Sequence, residues 1–164
     1  MRTIWYLLRC PVGNEWDFAR KFRELAEPGQ LEEVIRFEYQ RLMRYRGGWH
    51  VERRTLLPGC VFLSAAKLDV PQAPWREKER AEGAFLLTPC EIPYVKGMCR
   101  EENVIGMSKG VIRNGRPVIT SGPLKGREGL IRKIDRHKRI ADIEIPLAGE
   151  RRQVTVGLEI YEKV

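Results

Sequence analysis

A chain of 164 residues with 43% hydrophobic side chains can bury one domain of ordinary size or two small ones. Its 30 Lys and Arg outnumber 22 Asp and Glu, a formal charge of +8, which points to an anionic partner and to nucleic acid first. No apolar run approaches the ~20 residues that span a bilayer, and four widely spaced cysteines with two histidines make no zinc-ligand pattern, so neither a membrane association nor a metal or other cofactor is expected.

The first strand is expected at 4–9, apolar and aromatic, bounded by Pro11 and Gly13. Its apolar run is too short for a signal peptide, so the chain reads as cytoplasmic, with Cys10, Cys60, Cys90 and Cys99 as buried small apolar residues or spectator thiols. A helix follows from an Asn14 cap. Phe18, Ala19, Phe22, Leu25 and Ala26 recur at helical spacing on one face, and Pro28-Gly29 stops it. Two extended arms around Gly47-Gly48 carry Arg41, Arg44, Arg46, His50, Arg53 and Arg54 against Glu52 alone, which reads as a basic finger. Pro58-Gly59 opens a strand at 60–63. A loop then enters a short charged helix near Trp75, and 84–87 closes an α+β sandwich with a mostly antiparallel sheet.

The chain changes character at 101–113, where Gly106 and Gly110 punctuate a polar stretch, and the linker is placed there, between a domain at 1–100 and another at 114–164. Five short strands are expected beyond it: 117–120, 129–135, 139–145, 152–156 and 158–162. Ala141, Ile143 and Ile145 alternate with Asp142 and Glu144, the pattern of one buried and one wet face. Such strands close most simply into a small barrel. Positive charge concentrates here: residues 113–164 hold 12 Lys and Arg against 7 Asp and Glu, while 1–112 hold 18 against 15.

Three segments resemble the NusG family of transcription elongation factors when taken in order. They are Trp5-Tyr6-Leu7-Leu8-Arg9-Cys10 followed by Gly13-Asn14-Glu15, then Leu57-Pro58-Gly59-Cys60-Val61-Phe62, then the KOW-like segment 122–131, with Gly122-Pro123 and Gly129. The resemblance implies an N-terminal NGN domain that docks on RNA polymerase through an apolar patch, and a C-terminal five-stranded KOW barrel that recruits RNA or another factor such as a ribosomal protein. Cys60 stands where the family usually has an aromatic, and the barrel turns are unusually basic. The chain therefore looks like a specialised paralogue, similar to antiterminators of the LoaP branch, which are associated with a hairpin in the leader transcript.

On this reading Tyr6, Cys60, Phe62 and Phe85 are the candidates for polymerase contact. Lys125, Arg127, Arg136, His137, Lys138, Arg139, Arg151 and Arg152 are the candidates for RNA, where arginine forks suit phosphates and guanine edges. An RNA helix hides its deep groove, so specificity needs a bulge, loop or distorted stem. Arg44, Arg46, Trp49, Arg53 and Arg54, with Arg76, Lys78 and Arg80, are candidates for non-template DNA, Trp49 or Trp75 offering a stacking face. A monomer is expected. Two alternatives stay open: a housekeeping elongation factor, and a ribosome-associated KOW protein that binds RNA without polymerase. An enzyme is not expected, because neither histidine has an orienting partner in sequence.

Overall fold

The computed structural model describes residues 4–25, 29, 31–65 and 84–164. Its elements run β1 (Ile4–Arg9), α1 (Glu15–Leu25), β2 (Glu33–Ile35), β3 (Glu38–Tyr45), β4 (Gly48–Thr55), β5 (Cys60–Ala65), β6 (Ala84–Leu86) and α2 (Glu91–Lys96). After a 3-10 turn at Glu101–Asn103 come β7 (Val104–Ile105), β8 (Ser108–Arg113), β9 (Arg116–Ser121), β10 (Ile131–Asp135), β11 (Ile140–Leu147) and β12 (Glu150–Lys163). The class is mixed helix and sheet, dominated by strands, as expected of an α+β chain. The charged helix expected near Trp75, with Arg76, Lys78 and Arg80, lies outside the described residues.

Two units divide the chain, each discontinuous in sequence. One comprises Met1–Arg36, Leu57–Pro93 and Leu147–Glu150; the other comprises Phe37–Leu56, Tyr94–Pro146 and Arg151–Val164.

In the first unit, β1 is an interior strand of a sheet ordered β2-β5-β1-β6, antiparallel throughout. Helix α1 lays Phe18, Ala19 and Phe22 on Tyr6, Leu8, Val34, Val61 and Leu63. Side chains alternate between strand faces, and Leu7 pairs with Phe62. Leu7, Phe62 and Ile35 therefore point away from α1, and they too are buried. Every residue of β5 is buried, so 60–63 read as an apolar run rather than an alternation, and the buried Ser64 accepts the Glu33 N–H at 2.9 Å. At one end of the sheet Glu15, itself buried, accepts the N–H of Gly13 at 3.1 Å and of Gly59 at 2.8 Å, tying the β1–α1 turn to the turn before β5.

In the second unit, five strands form a sheet ordered β10-β11-β12-β8-β9, and three form a sheet ordered β4-β3-β7. Ala141, Ile143, Ile145 and Leu147 are buried along β11, the alternation read from sequence. The stretch 101–113 differs from the linker expected there: β7 runs parallel to β3, and β8 pairs with both β9 and β12. Its glycines mark close packing, since a side chain at Gly110 would meet the Val118 carbonyl at 2.5 Å. The basic finger at 41–54, expected within the N-terminal domain, belongs to this second unit as part of Phe37–Leu56. The break expected at Gly157 is also absent, and β12 runs through it. A methyl group there would collide with the Gln40 carbonyl and the Met107 sulfur, so glycine serves contact rather than a turn. Gly122 plays both parts: its φ is +95°, and a side chain would meet the backbone of Met107 and Ser108 at 2.5 Å.

Candidate nucleic-acid interface

Strands β3 and β4 form a hairpin closed by Arg46 and Gly47, both at positive φ, the conformation of a tight two-residue turn. The antiparallel register sets Arg44 directly opposite Trp49, and the guanidinium lies 5.9 Å from the ring centroid. On the other face, Tyr45 and His50 stack at 4.0 Å, and the imidazole Nε2 lies 3.1 Å from the Tyr45 carbonyl, stiffening the tip.

The turn between β10 and β11 supplies the second wall. Asp135 accepts the Lys138 N–H at 2.9 Å, and this bond leads the interactions that hold its carboxyl below the usual range. The turn is thereby closed with 136–139 displayed on it. Arg139 completes it at φ +55° and reaches the indole of Trp49, 3.8 Å from the centroid. Glu159 on β12 holds the same guanidinium at 3.3 Å.

Hairpin and turn enclose a cleft of about 380 Å³. It is lined by 41–44 from β3, Trp49 from β4 and 136–139 from the turn, with no carboxylate among the described lining residues. Leu42 and Met43 give it an apolar portion. The Nε of Arg41 is buried and has no hydrogen-bond acceptor among the described residues. Such an arrangement offers a flat π face beside several cations, a combination suited to a base with its phosphate.

The structure thus brings together residues that sequence assigned to two different ligands. Arg44 and Trp49, read as a DNA contact, share the cleft with Arg136, His137, Lys138 and Arg139, read as an RNA contact. The remaining candidates lie elsewhere. Arg53 is paired with Glu102 at 3.0 Å and Arg54 with Glu52 at 2.6 Å, while Arg46 is exposed at the hairpin turn. Arg127 donates to the Pro123 carbonyl at 2.7 Å, and Lys125 is exposed beside it. Arg151 lies 3.9 Å from Glu144, a carboxylate it shares with Arg132; Arg152 is half-buried. Leu42, Met43 and Glu159 carried no sequence signal for the site.

The apolar contact patch expected of Tyr6, Cys60 and Phe62 is corrected. All three are buried, Phe62 completely, and Tyr6 faces α1 while Cys60 and Phe62 lie on the opposite face of the sheet. The strand period of two separates them, so they cannot form one exposed surface. Phe85 is placed by its backbone only, opposite Leu7 in β6. Among the described residues of the first unit, the large exposed apolar side chains are Val12 and Trp16, at the β1–α1 turn, with Arg36 stacked 4.6 Å over the Trp16 ring. Among the cysteines only Cys60 is buried; Cys10 and Cys99 are half-buried and Cys90 is exposed. Burial pushes the Cys10 and Cys99 thiols up to about 11, so both are protonated at neutral pH. No protein-family model matches the chain, and comparison with curated proteins returns no match.

Proposed function

We propose that this chain is a transcription elongation or antitermination factor of the NusG kind, binding an RNA hairpin through the cleft of its second unit and RNA polymerase through its first. The observation that carries the RNA half is the cleft itself: four arginines, a lysine and a histidine lining one concavity beside Trp49. The polymerase half rests on the ordered resemblance of three segments. In this reading the five-stranded sheet is the KOW barrel and the α1-covered sheet is the NGN sandwich.

Lysine and arginine that neutralise phosphates release counterions, so each such contact adds to the salt dependence of binding. The experiment is titration of a hairpin RNA against the purified chain and an Arg136→Gln, Lys138→Gln double variant over a salt series. The variant is expected to bind more weakly and to lose about one unit of slope per phosphate contact removed. An unchanged slope removes the turn from the interface. The polymerase half is read separately, by binding of the unaltered chain to core RNA polymerase. Absence of that binding with RNA affinity intact leaves a free-standing RNA-binding protein.

A further inference from the structure

The cleft is specific about what part of an RNA it can take. Resting on the RNA reading above, we infer that it captures one unpaired nucleotide, the base on Trp49 and the phosphate between Arg136 and Lys138. Its volume of about 380 Å³ stands at the small end of the ~300–1,000 Å³ of small-ligand sites. A base inside an A-form stem shows only its edges, so only an extruded base can lay its face on an indole.

Trp49 is already engaged by a cation that has a second partner. Arg139 covers the ring at 3.8 Å, and it also has Glu159 at 3.3 Å as a second partner. A base taking the ring face leaves that guanidinium with its carboxylate. Stacking on an indole is in general stronger than a partly exposed cation–π contact, so the exchange favours the base. Leu42 and Met43 are among the lining residues of the cleft. The phosphate that follows the base meets the exposed side chains of Arg136 and Lys138, and none of the described lining residues is a carboxylate. The hairpin and the turn were two binding surfaces by sequence; together they hold the two halves of one nucleotide.

The test compares three hairpin RNAs on one stem: fully paired, with a single bulged adenosine, and with an abasic residue at the bulge. The chain is expected to bind the adenosine bulge about tenfold more tightly than the other two. In Trp49→Leu this ratio falls to near one, and in Trp49→Phe most of it returns, with circular dichroism establishing that each variant is folded. Equal binding of all three RNAs by the unaltered chain overturns nucleotide capture while leaving the RNA reading standing. A bulge preference that survives Trp49→Leu removes Trp49 from the site and overturns it as well. Failure to bind any of the three at low salt overturns the RNA reading itself. Free AMP serves as competitor: displacement at concentrations comparable to the bulged RNA makes a free nucleotide the ligand and overturns the assignment to RNA.

Discussion

Phe62 shows how a single side chain changes meaning once it is placed. As an aromatic on a strand it is a candidate contact; as a fully buried ring between Leu7 and Ile35 it is core. Phe62→Ala is expected to cost about 3–5 kcal/mol in denaturant unfolding, from lost transfer energy and the cavity left behind. A cost within the ±0.5 kcal/mol of a surface change places the ring outside the core. Glu15 makes the complementary case, a buried carboxylate kept charged. Burial raises its pKa, but the N–H groups of Gly59, Glu15 and Gly13, with Arg36 nearby, bring it below the ordinary 4.5. The sign follows from linkage. A depressed carboxyl stabilises the fold above its unfolded value and loses that contribution as pH falls through the folded value. Glu15→Gln is therefore expected to lose about 2 kcal/mol near pH 7, and the gap between variant and parent should narrow in urea melts below about pH 4. A gap independent of pH assigns the loss to packing alone.

Among the elements, β12 and the β3–β4 hairpin decide whether the cleft exists. Gly157 lets β12 approach the Gln40 carbonyl, one residue before Arg41 enters the cleft wall. Gly157→Ala forces a methyl group against backbone, and overpacking of this kind costs about 1–3 kcal/mol. It is expected to lower stability and weaken hairpin-RNA binding together; loss of stability with binding unaltered detaches the β3 contact from the site. Local pattern made several elements legible. The alternation in β11 and the Phe18, Ala19 and Phe22 face of α1 depend on neighbours within a few residues and match the pattern in the sequence, while the hairpin turn falls at Arg46-Gly47, one residue before the Gly47-Gly48 expected. Helix α2 was missed because Glu91–Lys96 is six residues long, too short to show a period. Strand β8 was missed because Gly110 looks like punctuation, whereas it is flat packing surface beneath Ile119 and Val118.

For the whole molecule, a charge of +8 is an argument about partners and not about fold. Of the basic residues singled out, Arg53, Arg54 and Arg151 have carboxylate neighbours at the surface, and exposed pairs of that sort contribute about 0–1 kcal/mol. They report solvation more than recognition. The cleft concentrates charge with no carboxylate among the described lining residues, so on the proposed RNA reading the salt dependence of binding is expected to reside there. The division of the chain carries the same lesson, since both units draw on segments far apart in sequence, and 37–56 joins the C-terminal strands rather than its sequence neighbours.

Composition, turn residues and short-range periodicity were enough to establish a strand-rich α+β chain, its basic character, and most strands of the C-terminal sheet, because each depends on interactions between residues close along the backbone. The site depended on something else. Trp49 and Arg139 stand 3.8 Å apart in space and some ninety positions apart in sequence, a contact that no local pattern encodes. Burial is equally non-local. Tyr6, Cys60 and Phe62 are apolar enough for either a core or an interface, and only the pairing of β1 with β5 and the seating of α1 assign them to the interior.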